Sequence, residues 1–456
     1  MRRNIFRVSI LAVLTGAWLL FPLAFGGVRH GIRAETVNKD SCITDKCHSS
    51  LGKDKFVHGP VATSDCAFCH KPVSKHKFEP IKDIADLCYS CHAKLNTQNS
   101  VHRPVAEGKC TQCHDPHQSP NKFQLKKDGS SLCFKCHDKK IANGKFVHGP
   151  VSVGDCRACH QPHQSEFNKI LVAEGNNLCF ACHSDMADEY KKSKLVHPPV
   201  DAGCVKCHNP HSGAYKYMFS ADSEMDLCLN CHDAKKQELA DATVKHGAME
   251  MGKKCLTCHN PHYSNSGKLL LMQPGNLCLT CHDREYTNES YKVADMKTLL
   301  SKNSDKHGPI RENDCSSCHN AHGSKNFRLL REPFPPVFYA PYDINNYKLC
   351  FMCHEKSLAS DEKTTTMTGF RNGNENLHFV HVNKQKGRTC RACHDAHATN
   401  NPRHIRDSVP FGTWFVPINF IKTKTGGQCA PGCHQLFKYD RDKEIANRLN
   451  SESLRK

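Results

Sequence analysis

Thirty cysteines occur in this chain, and all of them fall in pairs followed immediately by a histidine. Seven CxxCH motifs form one group: Cys66, Cys69 and His70; Cys110, Cys113 and His114; Cys156, Cys159 and His160; Cys204, Cys207 and His208; Cys255, Cys258 and His259; Cys315, Cys318 and His319; and Cys390, Cys393 and His394. Six more form a second group: Cys88, Cys91 and His92; Cys133, Cys136 and His137; Cys179, Cys182 and His183; Cys228, Cys231 and His232; Cys278, Cys281 and His282; and Cys350, Cys353 and His354. Two end motifs have longer spacers, with four residues between Cys42 and Cys47 before His48, and three between Cys429 and Cys433 before His434. A disulfide scaffold would not require a histidine after every second cysteine. Zinc ribbons share the pair-to-pair spacing, but four thiolates would leave every adjacent histidine unexplained. Covalent haem c needs all three residues: two thiols add to the porphyrin vinyl groups, and the next residue supplies an axial nitrogen to iron. The expected cofactor is therefore haem c, about 15 copies, covalently attached. The two long spacers depart from the standard motif.

Of 32 histidines, fifteen belong to the motifs and seventeen are surplus. His30 lies close to the N-terminal apolar segment. His58, His102, His148, His197, His246, His307 and His381 precede first-group motifs by seven to nine residues. His117, His163, His211, His262, His322 and His397 follow a motif histidine by three, and His76 follows by six. His378 and His404 remain as further candidates. A surplus that recurs in register with the motifs, and nearly equals them in number, predicts a second axial histidine for most irons. His163 is expected to serve a neighbouring haem, because Pro162 separates it from His160 and prevents it from reaching around the same ring. Irons closed on both faces favour electron transfer over bond-making chemistry. The chain is thus more an electron carrier than an enzyme, and no catalytic residue is assigned. The alternative is a reductase of small nitrogen or sulfur oxyanions with one open-site haem. No CxxCK variant occurs.

First-group motifs read like "HGPV…DCxxCHxPH" and alternate with "LCxxCH" motifs. First-group motifs start 44, 46, 48, 51, 60 and 75 residues apart, a tandem array whose unit lengthens toward the C-terminus. With roughly 30 residues per haem the polypeptide cannot enclose each porphyrin separately. Leu87, Leu132, Leu178, Leu227, Leu277 and Leu349 are expected at haem edges. The expected fold is mostly short α-helices and loops: an elongated tandem array with little strand and a haem-built core. Residues 1–26 read as a signal peptide or uncleaved anchor, 27–328 as regular two-haem repeats with twelve motifs, and 329–456 as an irregular section with three. Helices are expected on second-group motifs and over the tail "DKEIANRLNSESLRK". "GTWFVPINFIKT" reads as a short hairpin or a haem-covering loop. Phe411, Trp414, Phe415 and Phe420 in this last section read as cover for the final haems or as a docking surface.

The basic start "MRRNIFR" and the apolar run after it are the pattern of an export signal, with cleavage near Gly26. The formal charge of +18 falls to +15 once Arg2, Arg3 and Arg7 are removed. Lysines are scattered, so no nucleic-acid partner is expected. Two ionised propionates give a ferric haem a charge of about −1 and a ferrous one about −2. Fifteen haems would bring the oxidised chain near neutrality.

The repeated "CHNPH", "CHDPH" and "CHQPH" alternating with "LCxxCH" resemble the doubled-CxxCH multihaem cytochromes c of respiring bacteria, from Cys42 to His434. The organisation is similar to that of the periplasmic decahaem cytochromes that pair with outer-membrane porins in metal-reducing bacteria, with more motifs here. The resemblance implies electron movement across the periplasm or outer envelope, in anaerobic or extracellular respiration. It implies an inner-membrane quinol-linked donor, an outer-membrane porin or terminal cytochrome as acceptor, and a periplasmic, outer-membrane-associated or extracellular location. Self-assembly end to end is a further possibility.

Overall fold

The computed structural model describes residues 42–74, 77–221, 223–288 and 291–447. The apolar N-terminal segment, His30, His76 and the tail from residue 448 lie outside them. No helix among the described residues is long and apolar enough to cross a membrane.

The expectation of a mostly helical chain with little strand is wrong. Short strands run throughout, nearly all in two-stranded antiparallel pairs. Their origin lies in the repeat itself. Two residues before each HGPV-type histidine pair with two residues after an HxPH-type histidine of the next repeat. Phe56–Val57 (β1) lies against Gln118–Ser119 (β2), Ser100–Val101 against Gln164–Ser165, and Phe146–Val147 against Ser212–Gly213. The same ladder recurs between Leu195–Val196 and Tyr263–Ser264, Val244–Lys245 and Gly323–Ser324, and Asp305–Lys306 and Ala398–Thr399. A two-residue strand is too short to show alternation, so the pattern was invisible in the sequence.

Each ladder delivers the chain into a short helix, such as Gly59–Ala62 (α1), Gly149–Ser152 (α2) or Gly308–Arg311 (α3). The preceding histidine is the N-cap and proline opens the first turn, where its fixed φ suits a helix and its missing N–H costs nothing. First-group cysteines follow on single 3-10 turns, as at Cys66–Phe68 and Cys156–Ala158. Second-group cysteines sit at the ends of helices such as Ile84–Tyr89 and Asn176–Phe180. The segment from Glu224 to Asp241 forms two helices, Glu224–Leu229 and Asp233–Asp241, interrupted at the motif.

The chain divides into two compact units. One holds the residues up to Lys94 with Glu107–Asp128, and the other holds Leu95–Ala106 with everything from Gly129 onward. Leu95–Ala106 belongs to the second because Ser100–Val101 pairs with a strand there. In the first unit, His70–Ser74 and Lys77–Pro80 form a hairpin found in no later repeat.

Among the described residues, the cluster of buried apolar side chains lies in the C-terminal section. Phe334, Tyr347, Ala359 and Val382 pack together, with Leu330, Leu349, Phe351 and Cys390 against them. "GTWFVPINFIKT" contributes to a hairpin, Ser408–Phe411 against Trp414–Pro417. Ile421–Lys422, Gly426–Cys429 and Phe437–Asp440 make a three-stranded sheet. Residues 442–447 are not helical.

Candidate haem-binding sites

Six of the seven first-group motif histidines are held from behind by their own repeats. The carbonyl nine residues downstream faces Nδ1 at 2.8 Å for His114 (from Phe123), 3.0 Å for His160 (Lys169) and 2.8 Å for His208 (Tyr217). The same contact recurs at 2.8 Å for His259 (Lys268), 3.0 Å for His319 (Arg328) and 2.8 Å for His394 (Arg403). All six residues that supply these accepting carbonyls lie in the left-handed region, with φ between 52° and 62°, and the residue after each does too. L-residues avoid this region, so the local strain is retained because it aims a carbonyl at the imidazole. With Nδ1–H donating to that carbonyl, Nε2 is left as the ligating atom.

The HGPV-type histidines use the next repeat for the same purpose. Nδ1 of His102, His148 and His197 lies 2.9, 3.0 and 2.9 Å from the carbonyls of Pro162, Pro210 and Pro261. Their backbone N–H groups donate to the carbonyls of His163, His211 and His262. Proline in HxPH therefore places an acceptor as well as a bend. The turn is fixed by the residue after the motif: the His117, His211, His262 and His397 N–H groups donate to the side chains of Asp115, Asn209, Asn260 and Asp395.

These supports bring the histidines together in near-parallel pairs. HGPV-type rings face the second-group motif of their own repeat: His58 with His92, His102 with His137, His148 with His183, His197 with His232, His246 with His282 and His307 with His354. HxPH-type rings face the first-group motif of the preceding repeat: His117 with His70, His211 with His160, His262 with His208, His322 with His259 and His397 with His319. His378 faces His394. Ring centroids lie 6.0 to 6.4 Å apart, with interplanar angles of 7° to 22°. Two imidazoles on opposite faces of one metal keep about 4 Å between their nitrogens, and half a ring on each side brings the centroids to roughly 6 Å. The residues fit bis-histidine haem. Among the described residues, no three His, Cys, Asp or Glu side chains converge on a common point as a zinc site requires.

The cysteines are ordered in the same way. First cysteines of successive motifs lie close enough to influence one another: Cys42 and Cys66, Cys88 and Cys110, Cys179 and Cys204, Cys228 and Cys255, Cys278 and Cys315, and Cys350 and Cys390. Their proximity pushes the Cys179 thiol up and brings Cys204 down to about 7. Second cysteines also approach one another, as Cys69 does Cys91 and Cys393 does Cys433. The long-spacer motifs at Cys42 and Cys429 take their places in this alternation.

A family model described as "Doubled CXXCH motif" matches residues 58–97, 102–142, 148–188, 197–237, 246–286 and 307–359, together more than half of the chain. The chain is a multihaem c-type cytochrome of the doubled CXXCH family. No curated protein matches it.

One histidine of this cytochrome is misplaced by sequence reasoning. His404 faces no motif histidine in the paired geometry. It is the second left-handed residue of the turn behind His394, the place held by Gln124, Ile170, Met218, Leu269 and Leu329 in other repeats. Its carbonyl accepts from Asp395, and its ring meets His307 edge-on at 5.4 Å, 78°. His378 and His381 instead share the helix Leu377–Val382. The fully buried Asn376 caps it, accepting from the His378 N–H and donating to the Leu358 and Asp361 carbonyls. Burial holds His378 and His381 far below the ordinary imidazole range, at about 3 and about 4, so both stay in the neutral form that ligates iron. His434 lies against Phe437, with ring centroids 4.6 Å apart. The capping asparagine and the left-handed turns were not found by sequence reasoning. The only signal for the turns is an apolar residue eleven places after the first-group motif histidine, at Leu125, Leu171, Phe219, Leu270, Leu330 and Ile405, a place that Ile81 also holds after His70 without the turn.

Proposed function

We propose that this cytochrome is an electron conduit of about fifteen haems, most of them ligated on both faces by the chain itself. The observation that carries the reading is the histidine pairing. Each pair sets a motif histidine against a second imidazole, which leaves no position for substrate on the iron between them. Such irons change oxidation state without making or breaking substrate bonds. The HGPV-type histidines, His378 and the HxPH-type histidines are the distal ligands; His163 holds the HxPH place in its repeat. His381, which lies within electrostatic reach of His434, is the distal ligand for the last motif. The proximity of the first cysteines of successive motifs supports transfer from one haem to the next within each unit.

On this reading the chain works after export, between a quinol-linked donor at the inner membrane and a porin or terminal cytochrome at the outer one, in anaerobic respiration. The apolar start and the basic composition support this setting, since about fifteen propionate-bearing haems would offset the formal excess of lysine and arginine.

The test is an EPR spectrum of the oxidised, haem-counted holoprotein, recorded with and without nitrite and hydroxylamine. The expected result is low-spin signals only, unchanged by either ligand. A stoichiometric high-spin haem that binds them would replace the conduit with a reductase, and the irregular His434 site is where to look for it.

A further inference from the structure

His70 departs from its six counterparts in the array. Its Nδ1 is covered by protein and has no hydrogen-bond partner. The cause is local. Where later repeats turn through two left-handed residues, the first repeat runs as the hairpin of His70–Ser74 with Lys77–Pro80. No described residue between Lys71 and Lys82 has a positive φ. The loop is one residue shorter: Ile81 N–H reaches the Cys69 carbonyl twelve places back, while Lys126 and Val172 reach Cys113 and Cys159 over thirteen. The missing residue removes the turn, and with it the carbonyl that would face Nδ1.

From this difference we infer that the haem on Cys66 and Cys69 has a higher reduction potential than the haem on Cys156 and Cys159, making the first repeat an electron sink. The inference rests on the haem-ligand reading above. A histidine that donates Nδ1–H to a carbonyl is a more basic ligand at Nε2, and the added electron density favours ferric iron. His160 has that bond, to Lys169 at 3.0 Å. His70 lacks it, so the iron it ligates takes an electron from a ferrous neighbour more readily.

One group opposes this. The Asp115 carboxylate lies 3.6 Å from Nδ1 of His117, the ring opposite His70. That separation exceeds hydrogen-bond length, and both side chains are 41% exposed, so water screens the pair. The counterpart ring, His211, has the neutral Asn209 at the same turn. The proximal difference is a buried bond made or not made, and it prevails.

The test compares two holoproteins, Cys66→Ala/Cys69→Ala and Cys156→Ala/Cys159→Ala, by haem count and spectroelectrochemical titration. Each should lose one haem. The component lost from the first should be tenfold easier to reduce than that lost from the second, which for one electron is 59 mV. Equal or reversed potentials overturn the inference. An unchanged haem count would instead overturn the ligand reading beneath it. A second pair keeps the question open to refutation if either protein fails to mature. Lys169→Pro, whose ring fixes φ near −65° and so cannot take the left-handed turn, should raise the potential of one haem, whereas Lys169→Gly should leave it in place. If the proline variant leaves every potential where it was, the carbonyl does not tune the iron.

Discussion

The repeats and the C-terminal section solve the same problem with different material. Of the eleven buried apolar residues among those described, Ala187 alone lies in the repeats, and the other ten fall between Phe334 and Tyr439. What the repeats bury instead is serine: Ser119, Ser165, Ser212, Ser264 and Ser324 sit at the ladder positions after HxPH. Four of these hydroxyls donate to a carbonyl six residues on, closing the turn behind the motif. The repeat peptide is thus built to satisfy its own polar groups around an interior it does not fill. The C-terminal section fills its own, with the aromatic side chains of Phe334 and Tyr347 meeting edge to face at 5.8 Å. Scaffolding and filling are separable: the C-terminal section carries apolar filling of its own, and the regular repeats carry almost none.

That contrast is broken most forcefully by withholding haem. In the apoprotein, amide protection over residues 42–330 should vanish while protection between Phe334 and Tyr439 persists in part. Hydrogen exchange read by mass spectrometry checks this, and uniform protection across both regions would end the distinction. Single substitutions sharpen it. Tyr347→Ala empties a site with no exposed surface and should cost about 3–5 kcal/mol in denaturant unfolding of the holoprotein. The smallest effect belongs to the ladder serines. Ser119→Ala removes a 2.6 Å bond to the Leu125 carbonyl, which Asn121 also reaches at 2.9 Å, and should cost about 1 kcal/mol.

The chemistry of the site was legible because covalent attachment forces cysteine and histidine into fixed spacing. The two surplus classes stand out in the sequence as well, since histidines like His148 recur seven to nine residues before a first-group motif and those like His163 recur three residues after a motif histidine. The fold was misread for a physical reason: ladders such as Phe146–Val147 with Ser212–Gly213 join repeats at a distance and are two residues long. His404 was counted as a ligand candidate because sequence position does not reveal backbone conformation. The left-handed turns are occupied by Phe, Lys, Tyr and Arg rather than the glycine or asparagine that would have marked them.

The HxPH histidine also has a consequence for how such a chain is made and how it changes length. His70 and His160 meet their opposite rings only when the following repeat has been synthesised, so completion trails elongation by one module. Every interior module gives backward and receives from ahead through the same positions. A duplicated or excised module therefore finds its bonding partners already in register, and the array can be lengthened or shortened in whole units without redesign at the seam.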